Sequence, residues 1–209
     1  MSRYTAPVTR RRGHREALLA AAKRCLYEQG YARTTARDLV AASDTNLASI
    51  GYHFGSKEAL LTEAMLSAIG EWGDALEQVL AAGHDPATSP IERFESTWTR
   101  VIESFTAYRP VWVASFEALV QAERSPEVRA AMADAVERAR VGLTGLFDQL
   151  AEPIDEHTAR TVGSFYQALL SGVMVQWLLD PERAPSGRDL AEAIRTIARS
   201  VGSASSPAA

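Results

Sequence analysis

One short segment near the N-terminus limits the folds available to this chain. Residues 34–61 read TTARDLVAASDTNLASIGYHFGSKEALL, with capping residues and glycines at short intervals. Thr35 and Asp38 match a capping box, Asn46 matches the N-cap of a following helix, and Gly55 matches a helix end. The pattern predicts two short helices joined by a tight turn and followed by a third helix, which is the arrangement of a helix-turn-helix.

The charged side chains are distributed unevenly. Residues 1–60 contain ten Lys and Arg against five Asp and Glu, a net charge of +5, whereas the whole chain carries −4. The remaining 149 residues therefore carry −9. A DNA phosphate backbone is attracted to such a basic end and repelled by the acidic remainder, so the charge pattern favours DNA binding by the N-terminal region.

Composition predicts a soluble, cytoplasmic protein without a membrane partner. The 209 residues are 46% hydrophobic and 23% charged, which is ordinary for a globular chain. Cys25 is the only cysteine, so no intramolecular disulfide can form. The basic N-terminus lacks the apolar core of a secretory signal. The longest apolar stretch, 168–179, is interrupted by Ser171, Gly172 and Gln176 and falls short of a membrane span.

The rest of the sequence predicts helices only. Apolar residues recur at helical spacing in every long segment, and no segment alternates with period two for long enough to form a strand. Prolines and capping residues separate the segments, which gives about nine helices in all. The first is expected at 13–29 and the fourth at 57–82. The later ones are expected at about 91–108, 110–124, 126–150, 156–179 and 187–202.

The N-terminal region resembles the DNA-binding domain of the tetracycline-repressor (TetR) family of bacterial transcription regulators. The similarity covers residues 13–66 and includes the first helix ending at Gly30-Tyr31 and the start of helix two at Thr34-Thr35. Its most specific part is the run from Tyr52 to Glu58, YHFGSKE. Beyond residue 66 the resemblance is one of length and helical pattern.

This resemblance implies an all-α fold with a three-helix DNA-binding domain and a C-terminal helical domain for ligand binding and dimerisation. The expected limits are a flexible basic arm at 1–12, the helix-turn-helix domain at 13–57, the helical domain at 58–202 and a disordered tail at 203–209. It also implies a homodimer that binds a palindromic double-stranded operator and is released by a small-molecule effector, with repression favoured over activation. No cofactor is expected.

The family pattern also implies which side chains face DNA. Thr35 and Lys57 lie at helix N-termini, where backbone N–H groups also meet phosphate. Leu47 and Ala48 lack polar side-chain atoms, so in the groove they can contact only thymine methyl groups. Polar or basic side chains complete the predicted DNA-contacting set, which is Thr35, Arg37, Asn46, Leu47, Ala48, Ser49, Tyr52, His53 and Lys57. Packing against helix one is the alternative for Tyr52 and His53.

Two positions depart from the family pattern. Asp44 stands where the turn usually has glycine, and aspartate tolerates left-handed backbone geometry better than most residues. Gly51 interrupts the recognition helix, where glycine costs about 1 kcal/mol relative to alanine. Gly51 is either drift at a tolerant position or a means of bringing the helix close to DNA. The Arg10–Arg12 cluster has two similar alternatives, a solvated tail and a minor-groove contact.

The C-terminal helices carry aromatic stripes and a narrow apolar seam. An effector cavity would be lined by apolar and aromatic side chains, and the candidates are Trp98, Trp112, Phe116, Tyr166 and Met174. Such stripes form core more often than pocket. Helix nine presents apolar residues at offsets 0, 4, 7 and 11, a seam suited to a partner helix. The predicted dimer interface combines this seam with helix eight and consists of Phe165, Leu169, Gly172, Leu190, Ile194, Ile197 and Val201.

An enzyme is the rival class, together with an interaction module that carries a helix-turn-helix. The four histidines are scattered without metal-ligand spacing, and the sequence contains no nucleophile elbow, Walker loop or Rossmann glycine set. The sequence therefore predicts no catalytic or metal-binding residues. Salt-sensitive binding to a palindromic duplex would separate the regulator from its rivals.

Overall fold

The computed structural model describes residues 6–82, 88–146 and 155–204. Over this part of the chain the fold is all-α, as predicted, with nine helices and no strand. The helices are α1 Ala6–Glu28, α2 Ala36–Ser43, α3 Leu47–Phe54, α4 Lys57–Ala82, α5 Pro90–Ser104, α6 Arg109–Ala122, α7 Pro126–Leu146, α8 Glu156–Leu179 and α9 Gly187–Ala204.

Some helix limits differ from the sequence expectation. Helix α1 begins at Ala6 rather than at Gly13, so residues 6–12 continue the helix instead of forming an irregular arm. Proline is compatible with a first helical turn and arginine is a good helix former, which accounts for the extension through Pro7 and the three arginines. Helix α9 continues to Ala204, past the predicted end at residue 202. Residues 1–5, the predicted end of α7 at residue 150 and the tail at 205–209 lie outside the described residues.

The chain divides into two compact units. Unit 1 comprises residues 1–73 and 108–136, and unit 2 comprises residues 74–107 and 137–209. The division falls inside α4 and α7, so each of these helices contributes residues to both units. Helix α6 belongs to the same unit as the helix-turn-helix. The domain limits expected from the sequence remain predictions.

The core of unit 1 joins the helix-turn-helix to α4 and α6. Helix α1 packs against α2, α3 and α6. The side chain of Tyr31 is buried, and its hydroxyl lies 3.0 Å from Oγ1 of Thr62 and donates to the carbonyl of Glu58 at 3.1 Å. The buried apolar side chains come from five helices and include Leu18, Leu26, Leu39, Ile50, Phe54, Leu60, Leu61, Met65, Val111, Ala114 and Ala118. Burial on this scale fixes the orientation of α3.

In unit 2, α5 packs closely against α9. Gly187 at the start of α9 permits this approach, because a Cβ atom there would lie 2.5 Å from the carbonyl oxygen of Glu95 and would clash with Oγ1 of Thr99. Aromatic rings add to the core, with Phe105 against Trp177 at a centroid distance of 5.6 Å.

Helix α8 is the one described helix that is long and apolar enough to cross a membrane, by length and composition only. It contains the apolar stretch 168–179, which the sequence analysis judged too short and too interrupted for a membrane span. One such helix is weak support for a membrane span, since helices of soluble proteins pass the same test. Only 28% of the most apolar 18-residue stretch of α8 is buried within this chain, so much of the helix surface is uncovered.

Candidate nucleic-acid interface

The start of α2 is held by the predicted capping box. The Thr35 hydroxyl donates to Oδ2 of Asp38 at 2.6 Å and accepts from the Asp38 backbone N–H at 3.2 Å. The Thr35 backbone N–H donates to the same carboxylate at 2.8 Å. These hydrogen bonds lower the pKa of Asp38 from its ordinary value of 3.8. The hydroxyl hydrogen of Thr35 is therefore already used, and a phosphate that bound there would have to compete with Asp38.

The turn between α2 and α3 has the predicted left-handed residue. Asp44 has φ 52° and ψ 42° and ends α2 in the αL conformation. The hydroxyls of Ser43 and Thr45 lie 2.7 Å apart across the turn. The guanidinium of Arg24 on α1 donates to the carbonyl of Ala42 at 2.6 Å, which satisfies a terminal carbonyl of α2.

Helix α3 is capped by Asn46 and directed by its buried face. Oδ1 of Asn46 accepts from the Ser49 backbone N–H at 3.0 Å and from the Ser49 hydroxyl at 3.3 Å. Ile50 and Phe54 are buried in the core of unit 1, and the helix ends at Gly55 with φ 79°. Ser49 is only 9% exposed, so its side chain is less available to a base than the sequence suggested.

The outward side of α3 is formed by Leu47, Ala48, Gly51 and Tyr52, all of which are exposed. We call these four residues the recognition surface. Leu47 is 55% exposed and Tyr52 is 66% exposed, values that are high for side chains of this size. A Cβ atom built at Gly51 would meet no atom within 4 Å, so packing within the protein does not require glycine there.

A surface concavity of about 290 Å³ lies beside the recognition surface. It is lined by His14 of α1 together with five of the predicted DNA-contacting residues, Asn46, Ala48, Ser49, Tyr52 and His53. The rings of Tyr52 and His53 meet edge to face at 4.9 Å. His14 is one of the four histidines that are scattered in the sequence, and no role was predicted for it. Its position one helical turn before the buried Leu18 was the signal that could have placed it near α3.

The N-terminus of α4 is tied to the start of α2. Nζ of Lys57 donates to the carbonyl of Thr34 at 3.1 Å and lies 3.3 Å from a carboxylate oxygen of Glu58. Ser56 caps the helix, since its hydroxyl accepts from the backbone N–H of Ala59 at 3.0 Å. Lys57 therefore lies beside the capping box of α2, and the exposed Arg37 extends from the same short helix.

Three side chains that the sequence analysis did not identify, Arg15, Glu63 and Glu117, stabilise the helix-turn-helix through contacts within unit 1. The Arg15 guanidinium lies 5.0 Å from the centre of the Phe54 ring and pairs with Glu63 of α4 at 2.6 Å. Glu117 of α6 accepts from the backbone N–H of Ala32 at 2.9 Å. No sequence spacing reveals these contacts, because each joins residues from distant segments.

The predicted effector-lining residues fall into two sets. Trp112 and Phe116 belong to unit 1, where the Trp112 ring packs on Trp72 at a centroid distance of 4.9 Å. Trp98, Tyr166 and Met174 belong to unit 2. In unit 2 the ring of Phe94 lies 6.1 Å from that of Trp98 and 6.4 Å from that of Tyr166. Burial raises the pKa of Tyr166 above its usual range.

The predicted dimer residues differ in exposure within the single chain. Phe165 and Gly172 on α8 and Ile197 and Val201 on α9 are exposed. Leu169 and Ile194 are half-buried, and Leu190 is buried. Leu190 is therefore covered within its own chain, whereas the seam from 194 to 201 stays accessible. Among the described residues, no group of three or more His, Cys, Asp or Glu is placed to hold a metal ion.

Two short capped helices are joined by a tight turn, and the second helix has one face buried in the core and the other face exposed. This arrangement defines a helix-turn-helix DNA-binding protein. The family comparisons specify the class further. Residues 18–64 match the model for bacterial regulatory proteins of the tetR family, and residues 89–201 match the tetracyclin repressor-like C-terminal domain. The second match covers more than half of the chain, which belongs to the TetR family of transcriptional regulators. It is therefore a regulator and not an enzyme.

Solved structures of the family share the fold at low sequence identity. A transcriptional regulator from Streptomyces coelicolor A3(2) is 27% identical, with a TM-score of 0.57. The match covers 89% of this chain and 96% of the chain of that regulator. A TetR-family regulator from Mesorhizobium loti MAFF303099 is 18% identical with a TM-score of 0.62, covering 88% and 92%. The multidrug binding protein EbrR, complexed with proflavin, is 22% identical with a TM-score of 0.59, covering 88% and 98%. No curated protein matches the chain.

Proposed function

We propose that this TetR-family protein is a cytoplasmic, homodimeric repressor that binds a palindromic operator and is released by a small apolar or aromatic effector. The observation that carries the proposal is the recognition surface, an exposed face on a short helix whose other face is buried. The N-terminal charge of +5 supports an anionic partner. Thr35, Arg37 and Lys57 beside α3 are the proposed phosphate contacts, and Asn46, Ser49, Tyr52 and His53 are proposed to line the groove.

The experiment that tests DNA binding is selection of duplexes from a random pool by the intact protein. The expected product is a two-fold symmetric sequence with half-sites one helical turn apart, about 34–36 Å, or a multiple of it. Affinity for this duplex should fall steeply as salt increases, because phosphate contacts release counterions. Recovery of no preferred sequence would contradict the proposal and would leave the interaction-module alternative.

The proposed dimer uses the uncovered surface of α8 and α9. The exposed positions 165, 168, 172, 175 and 179 recur at helical spacing along α8 and are apolar or glycine. Such a face, joined to the seam on α9, suits a four-helix interface between two copies related by two-fold symmetry. Dimerisation would also cover apolar surface that the single chain leaves in water, which stabilises the assembly.

The proposed effector site lies in the C-terminal region. The aromatic cluster of Phe94, Trp98 and Tyr166 supports an apolar or aromatic ligand, and the proflavin complex of EbrR supports the same class. An effector releases DNA only if it binds the DNA-incompetent state more tightly. Helix α4 has residues in both units and is the proposed link between effector and recognition helix.

Calorimetric titration with proflavin and with an uncharged aromatic compound tests the effector proposal. The expected result is binding of at least one of them, with a matching loss of operator affinity in the same protein sample. If the only ligands that release the operator were metal ions or strongly anionic compounds, the proposed chemistry of the effector site would be wrong, although DNA binding would stand.

A further inference from the structure

The central part of the recognition surface lacks hydrogen-bonding side chains. Leu47 and Ala48 have none, and Gly51 has no side chain at all. All three are exposed and lie on one side of α3, next to Tyr52. A base edge that faced this central part could therefore be contacted only through van der Waals and hydrophobic interactions, or through the backbone.

Two polar side chains in the first turn of α3, those of Asn46 and Ser49, are already engaged. Oδ1 of Asn46 accepts two hydrogen bonds at the helix N-cap. The Ser49 hydroxyl donates one of them and is largely covered. Removing the Asn46 side chain would take away the side-chain acceptor of the Ser49 backbone N–H at the start of α3. Both residues therefore stabilise the helix start, and neither offers the pair of free atoms that a bidentate contact with a base requires.

We propose that α3 discriminates operators through the 5-methyl groups of thymine, which Leu47 and Ala48 contact. The inference rests on the proposed function, because it assumes that α3 enters the major groove. In that groove the thymine methyl is the only apolar group that distinguishes one base pair from another. An apolar surface within a basic region suits duplex DNA that contains thymine. The basic residues attract the phosphates, while the contacts with methyl groups select the sequence.

Gly51 has a specific part in this mode of reading. Its neighbours on the helix surface are Leu47 and Ala48, at the i−4 and i−3 positions. The missing Cβ lets a base edge approach the helix backbone closely, and nothing inside the protein requires glycine there. Gly51→Ala should therefore stabilise the free protein while it weakens operator binding. A more stable protein with weaker operator binding would show that Gly51 allows close approach to DNA. Unchanged operator binding would show that glycine is drift at a tolerant position.

The test compares thymine with uracil, two bases that differ only in the 5-methyl group. An operator is first selected from random duplexes by the intact protein and is then synthesised with deoxyuridine at each thymidine in turn. Burial of one methyl group corresponds to about fourfold in affinity. We expect about that loss at one or more half-site positions, and more than about tenfold when both half-sites are changed.

Two variants assign the effect to the recognition surface. Leu47→Ala should reduce the difference between the thymine and uracil duplexes, because the methyl group loses its contact. Val120→Ala, which shortens an exposed apolar side chain on α6, should leave that difference unchanged. Equal binding of all uracil duplexes would overturn methyl reading but not operator binding. Failure to select any duplex would overturn the proposed function, and methyl reading with it.

Discussion

At the scale of single residues, Lys57 is the proposed DNA contact of α4. Its ammonium contacts the Thr34 carbonyl and Glu58, so the side chain is held beside the start of α2. We expect Lys57→Ala to weaken binding to all duplexes and to lower the salt slope by about one unit, because one phosphate contact is lost. Lys23→Ala is the matched control, because this substitution also removes one positive charge from unit 1. Lys23 pairs with Glu71. Similar slopes for both variants would exclude a phosphate contact by Lys57.

A second residue-scale prediction concerns Gly187. A Cβ atom there would lie within 2.7 Å of the Thr99 backbone nitrogen, so Gly187→Ala must displace α9 from α5. We expect a loss of roughly 1–3 kcal/mol in the free energy of unfolding, measured by urea titration. The control is Gly142→Ala on α7, where an added Cβ meets no atom within 4 Å and should stabilise by up to about 1 kcal/mol.

At the scale of the helix, carboxylates in the first turn stabilise several N-termini. Hydrogen bonds from Thr35 and Ser186 lower the pKa values of Asp38 and Asp189 below their ordinary 3.8. A group whose pKa is lower in the folded state contributes stability above its unfolded pKa and loses it as pH falls through the folded value. The contribution should therefore be complete above about pH 4 and should disappear at more acidic pH.

Asp189→Asn tests this linkage. The variant should melt at a lower temperature than the wild type at neutral pH, because the charged acceptor for the Ser186 hydroxyl and backbone N–H is lost. The two melting temperatures should converge as pH falls below 3.8, the ordinary value for the carboxyl group. A difference that stayed constant from pH 7 to pH 3 would show that the aspartate charge does not contribute at this cap.

At the scale of the whole molecule, the proposed dimer would bring two copies of α3 to one operator. Ile197 is 62% exposed within the single chain and lies on the seam of α9. We expect Ile197→Glu to leave the fold intact but to yield monomers in sedimentation, because a charge would be buried in an apolar interface. Operator affinity should fall with it. Thr196→Glu, which adds the same charge on another side of α9, should remain dimeric, and an unaltered Ile197→Glu dimer would refute the assignment.

Local signals in the sequence were sufficient for the fold class, for most helix limits and for the caps. The Thr35–Asp38 box, the left-handed Asp44 and the Asn46 cap depend on residues three or fewer positions apart, so spacing alone predicts them. The start of α1 was predicted too late, because the arginines suggested a solvated arm although they are also good helix formers. The family, too, followed from a contiguous run of residues.

Tertiary structure decided which of those side chains remain accessible and what supports them. It covered Ser49 and Leu190, left Leu47 and Tyr52 exposed, and placed His14 beside α3. It also divided the predicted effector-lining residues between two units and placed α6 behind the helix-turn-helix through Glu117. Helical period tells which residues share a face, but exposure depends on packing between segments far apart in the sequence. The sequence therefore determined the helices and the DNA-binding class, and packing determined which side chains of α3 are exposed.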